Sequence, residues 1–167
     1  GMTRSMPGKI NVRLLVILLV AVVVLAVAAV AARHVGRKIL SQRALRLGGE
    51  ALAREDWPEA VRQLRDYLGR NPDDTEVLLQ YAEACVLIRP LDWRNVQRAA
   101  VAYRRVTELA PAEPLPYERL AGLYLGLKEY PELRYLAQKR IQHAPDDLQA
   151  RVWLAEALVG LRKPDEA

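Results

Sequence analysis

Few side chains in this sequence are equipped for covalent chemistry. The chain has two histidines, His34 and His143, one cysteine, Cys85, and few aliphatic hydroxyls after position 40: Ser41, Thr75 and Thr107. A Ser-His-acid or Cys-His pair needs its members within hydrogen-bond reach. His34 lies in a basic flank, and His143 stands two residues before Pro145, where an imidazole can bond the last carbonyls of a helix. Cys85 follows Leu78, Tyr81 and Ala82 at helical spacing and reads as a core residue. The acid pairs Asp73-Asp74 and Asp146-Asp147 each follow a proline and suit helix capping. Without His or Cys nearby they make poor metal sites. A single cysteine excludes an internal disulfide framework and a CxxC site, and no glycine-rich phosphate loop is present. The expectation is no catalytic, cofactor or metal residue, and no enzyme.

The elements that could position a binding site begin with the apolar run Leu14–Ala32, 19 residues without a charge. As a helix it rises ~28 Å, close to the bilayer hydrocarbon thickness, and is expected to be a transmembrane anchor. A cleaved leader is the alternative, because Ala26–Ala32 contains small-x-small sites. Residues 1–13 form a short basic tail with Arg4, Lys9 and Arg13, and residues 33–40 a basic juxtamembrane helix. The eight bases Arg4, Lys9, Arg13, Arg33, Arg37, Lys38, Arg43 and Arg46 flank the run, whereas past Arg46 acids outnumber bases 20 to 17. The net charge of +5 therefore belongs to the flanks. A nucleic-acid interface would need a basic face on the folded domain, and none is expected. Five bases after the run and three before it favour a cytoplasmic domain. The signal-like alanine end and the cost of moving a charged tail across favour the outside. The reading adopted is a single-pass protein of a bacterial inner membrane with its domain extracytoplasmic.

From Ser41 the chain repeats. Residues 114–147 place Tyr117, Leu120, Ala121 and Tyr124 on one helical face, then Leu133, Leu136, Ala137 and Ile141 on another. Pro131 suits a first helical turn and Pro145 ends the second helix. Residues 41–74 repeat this with Ala44, Leu47-Gly48 and Ala51, then Ala60, Leu64 and Tyr67, then Pro72. Residues 75–113 repeat it with Leu78, Tyr81-Ala82 and Cys85, then Ala99, Tyr103 and Val106, then Pro111. Five extra residues fall within Leu87–Gln97, where Pro90 ends a helix, Asp92 is a predicted N-cap and Trp93 either contacts a partner or folds back on its own repeat. Residues 148–167 begin a fourth copy, with Leu154-Ala155 and Leu158 as its core face and Pro164-Asp165-Glu166-Ala167 opening a second helix. The natural protein is expected to continue, and Gly1 before Met2 reads as a cloning remnant.

This pattern resembles the tetratricopeptide repeat (TPR) family, whose marks are an aromatic, Leu-Gly, Tyr, Ala, Phe and Pro at fixed spacings. The resemblance covers Ser41 to Ala167. It implies an all-α protein: an N-terminal transmembrane helix followed by a right-handed superhelix of antiparallel helix pairs with a concave groove. By register the groove is lined by Leu45, Gly49 and Leu52, by Leu79, Glu83 and Val86, by Glu118, Gly122 and Leu125, and by Val152, Glu156 and Val159. Leu52, Val86, Leu125 and Val159 form an apolar ladder suited to an amphipathic helix or extended apolar peptide. Family members that bind chaperone C-termini clamp carboxylates with Lys, Asn and Arg. The matching slots here hold Leu45, Gly49, Gln80, Leu115 and Arg119, so only Arg119 fits and no acidic chaperone tail is predicted. The expected function is a membrane-tethered scaffold that binds a protein or peptide in this groove. The alternative is a targeting or regulatory module of a larger enzyme or secretion machine. Self-association is possible in either case.

Overall fold

The structure is a computed structural model describing residues 12–162. Its seven helices are α1 (Val12–Ala53), α2 (Trp57–Leu68), α3 (Thr75–Leu87), α4 (Trp93–Leu109), α5 (Leu115–Leu127), α6 (Tyr130–His143) and α7 (Leu148–Arg162). The basic tail residues Arg4 and Lys9 and the stretch Pro164–Ala167 lie outside the described residues. The chain divides into two compact units, Gly1–Leu40 and Ser41–Ala167. In the first, α1 is long and apolar enough to cross a membrane, and its large apolar side chains from Leu14 to Val30 are exposed.

In the second unit, the end of α1 and then α2 to α7 form successive helix pairs. Local chemistry starts most of these helices. Asp56, Asp74 and Asp92 cap α2, α3 and α4 by accepting from the backbone N–H of Glu59, Val77 and Arg94. Asp147 accepts from the N–H of Ala150 at the start of α7. Trp57-Pro58 and Tyr130-Pro131 already belong to α2 and α6, with the proline in the first turn, where a missing N–H costs nothing.

The repeated apolar positions become one core. Leu64, Tyr103, Tyr117, Leu120, Leu133 and Val106 are fully buried, each worth about 1.5–3 kcal/mol relative to exposure. Gly48 is required by packing: a Cβ there would lie 2.6 Å from Leu64 Cδ2 of α2. Gly49, next to it, has nothing within 4 Å. Gly48→Val is therefore expected to cost about 1–2 kcal/mol by overpacking, while Gly49→Ala gains up to ~1 kcal/mol of helix propensity. Urea unfolding of the two variants should move in opposite directions.

Two expectations are corrected. The fourth copy is expected to bury Leu154, Ala155 and Leu158. Instead, Leu154 is half-buried, Ala155 exposed and Leu158 44 % exposed. α7 buries Ala150, Trp153 and Ala157, which follow Tyr117, Leu120 and Tyr124 of α5 by 33 positions each. The fourth copy is thus shifted by one residue from a 34-residue period, and Leu154, not Ala155, matches Ala121. The other correction concerns the insertion. Its extra residues partly lengthen α4 to 17 residues, so that Trp93 begins the helix and is 58 % exposed. It does not fold back onto the core.

Candidate protein-interaction surface

The anticipated residues of α1, α3 and α5 lie at or near the surface, whereas on α7 the one-residue shift puts Arg151, Ala155 and Leu158 in register with Glu118, Gly122 and Leu125. In the last turns of α1, Leu45 and Leu52 are half-buried and Gly49 is exposed; on α3, Leu79, Glu83 and Val86 are half-buried. On α5, Glu118, Arg119 and Gly122 are exposed and Leu125 half-buried. Val152, Glu156 and Val159 are exposed on α7, the two valines at 47 % and 59 %. Gly122, like Gly49, has open space where a side chain would project. Arg119 and Glu83 meet across α5 and α3 at 3.7 Å. The one basic slot residue is thus matched by an acid, and Leu52, Leu79, Val86 and Leu125 pack from the surface onto the core.

Beneath this face the titratable groups are held neutral. Burial pushes the Tyr81 and Tyr103 hydroxyls up to about 12. Burial likewise raises the Cys85 thiol to about 11, against a weaker opposing hydrogen bond from Tyr81. A thiolate is the reactive form, and Cys85 is fully buried. We expect thiol reagents at pH 8 to label it only after denaturation; labelling of the native chain within seconds would contradict its burial. His143 is exposed at the end of α6. Among the described residues no group of three His, Cys, Asp or Glu is placed to hold a metal.

Two features were missed in the sequence. Arg140, on α6, is buried: its Nε donates to Asp147 Oδ2 at 2.8 Å, and its Nη1 donates to the carbonyls of Pro111 and Ala112 at 3.3 and 2.9 Å. Its guanidinium stands 5.2 Å from the Tyr117 ring centroid, within cation–π range. In the first repeat Tyr67 fills this slot and donates to Asp74 Oδ2 at 2.8 Å. A polar residue seven positions before a capping aspartate was the available signal.

The other feature is a depression of about 940 Å³ along α4, lined by Trp93, Arg94, Arg98, Val101 and Arg104 and, from α5 and α6, by Tyr124, Leu127 and Glu132. A smaller one of about 430 Å³ lies between α4 and α6 against Tyr135 and Lys139. Both lie beside second helices, away from the anticipated slots.

Stacked antiparallel helix pairs with a continuous core define a helical solenoid of the repeat class. No protein-family model matches the chain, and no curated protein does. Solved structures do. MamA residues 41 to the end from Desulfovibrio magneticus RS-1 is 23% identical over 72% of this chain and 66% of that one, with a TM-score of 0.53. The Sgt2 TPR domain of Aspergillus fumigatus is 16% identical over 76% of this chain and 82% of that one, at 0.51. The TPR2B domain of yeast Sti1, solved in a complex with pHsp70, is 19% identical over 75% of this chain and 98% of that one, at 0.50. The fold of the second unit is the tetratricopeptide-repeat fold.

Proposed function

We propose that this chain is a membrane-tethered protein-interaction scaffold whose TPR domain binds a partner helix or extended peptide in the groove along its first helices. The observation that carries this reading is the surface of Leu52, Val86 and Leu125, accessible apolar side chains in matching slots of three first helices, with Leu158, 44 % exposed, in the corresponding slot of α7. Gly49 and Gly122 leave room beside them. Such a surface suits apolar anchors of a helix or strand. The Sti1 domain's complex with pHsp70 supports peptide binding as a use of the fold. An acidic chaperone tail is not the ligand proposed here, since Arg119 is paired with Glu83 and the other clamp slots hold Leu45, Gly49, Gln80 and Leu115. The scaffold has no chemistry of its own.

The tether is residues 14–32. Length and apolarity support it, and so does the exposure of the whole run, which in water would cost tens of kcal/mol at about 25 cal/mol per Å². The proposed location is a bacterial inner membrane with the TPR domain outside the cytoplasm. A photo-crosslinking amino acid at position 122 in living cells is expected to trap a discrete partner. A crosslinker at Arg134, exposed on α6, should not trap the same one. No adduct at position 122, or identical adducts at both, would reject the groove.

A further inference from the structure

Charge is unevenly shared between the two kinds of helix. α3 carries Glu76 and Glu83 and no base, whereas α4 carries Arg94, Arg98, Arg104 and Arg105 against Glu108 alone. Arg105 is neutralised by Asp73 at 2.6 Å and Glu108 at 3.0 Å. The other three are not: among the described residues Arg94, Arg98 and Arg104 have no carboxylate within ion-pair distance. Arg98 reaches only Asn95 Oδ1 at 3.2 Å, and Arg104 only the Tyr124 hydroxyl at 3.1 Å. They span ~15 Å of helix at 1.5 Å per residue and bracket Val101, which is 63 % exposed. Trp93 stands exposed at one end, and the depression of about 940 Å³ opens alongside.

We infer that the outer face of α4 is a second docking surface, for an acidic polypeptide segment with interspersed apolar side chains. Charge complementarity identifies the occupant. Unpaired guanidiniums favour carboxylates, which they bind through paired N–H donors. The exposed valine and tryptophan favour apolar side chains between those carboxylates. Glu129 and Glu132 line the opposite wall. A nucleic-acid backbone or an anionic bilayer carries negative charge everywhere and meets these two acids unfavourably. A peptide can set its carboxylates over the arginines and its apolar residues over Val101. This surface is separate from the first-helix groove, so one chain can hold two partners.

The test uses the full chain in phosphatidylcholine nanodiscs. The probe is a fluorescent twelve-residue peptide of alternating glutamate and leucine, compared with its glutamine counterpart. The glutamate peptide should bind at least tenfold more tightly, and Arg94→Gln with Arg98→Gln should remove that advantage. Both arginines are exposed, so thermal unfolding should be unchanged. Should the double variant not fold, Val101→Glu, which sets a like charge amid the stripe, must lower affinity instead. Gly122→Trp should leave the binding intact. Equal affinity for the two peptides, or insensitivity to both sets of α4 substitutions, overturns the proposal. So does tighter arginine-dependent binding of oligothymidylate or of phosphatidylglycerol vesicles than of the glutamate peptide, which would assign the stripe to another class of partner.

Discussion

Replacing Arg140 by methionine is expected to destabilise the end of the solenoid by about 3 kcal/mol, the loss of charge-assisted hydrogen bonds to a partly buried carboxylate and two carbonyls. The guanidinium ties four groups together: the capping carboxylate of Asp147, two carbonyls of the loop before α5, and the Tyr117 ring. Methionine fills similar volume, so the loss is not one of packing. It leaves Asp147 without its partner and Pro111 and Ala112 without a donor. Because repeat proteins couple through nearest-neighbour interfaces, the effect should concentrate in α7. Hydrogen exchange of the α7 amides should accelerate about 100-fold, with α2 and α3 little changed. Uniform acceleration, or none, would show that Arg140 does not join the third and fourth repeats.

A pH dependence accompanies this. The hydrogen bond from Arg140 holds the Asp147 carboxyl below its ordinary 3.8, outweighing the opposing effect of burial. The folded state therefore binds that proton less readily than the unfolded one. The stabilisation is complete above pH ~5 and is lost as pH falls through the lowered folded value. Protection of α7 should decline on acidification below pH ~5 in the parent chain, and much less in Arg140→Met.

The other large effect is on partner capture. Gly122→Trp is expected to lower partner affinity at least tenfold, or to erase the adduct trapped at the neighbouring slot Leu125, while leaving the urea midpoint unchanged or slightly higher. The glycine has nothing within 4 Å of its missing Cβ, so an indole there enters the groove and not the core. Removing a glycine from a helix interior also favours folding by a few tenths to ~1 kcal/mol. Leu52→Glu with Leu125→Glu is a poorer test, because both leucines pack on the core and lost binding would be mixed with lost folding. Unchanged capture by Gly122→Trp at full stability would place the partner elsewhere.

The features legible in the amino-acid sequence are those whose causes are local. Asp92 caps α4 because its carboxylate reaches the N–H two residues on, a contact written within three positions. The faces of Leu78, Tyr81, Ala82 and Cys85, and of Leu133 and Ala137, follow from helical period alone, and all six are buried. Gly48 is legible because a Leu-Gly pair at a fixed slot implies close approach, and Leu64 is there.

Tertiary structure decided the rest. An arginine on a helix reads as solvated; Arg140 is buried only because Tyr117, the loop at 111–112 and Asp147 converge on it from three segments. Leu158 is a core position only under a strict 34-residue period; the chain steps 33 residues from α5 to α7, so Ala157 is buried in its place. The domain's excess of acids concealed the arginines of α4, since a sum over the chain carries no information about which helix holds which charge. Sequence alone determined the repeat, its capped helices and the apolar run ahead of it, because backbone hydrogen bonding and periodicity act within a few residues. Which arginines are buried or left unpaired, and where Trp93 stands, was decided by packing between segments tens of residues apart.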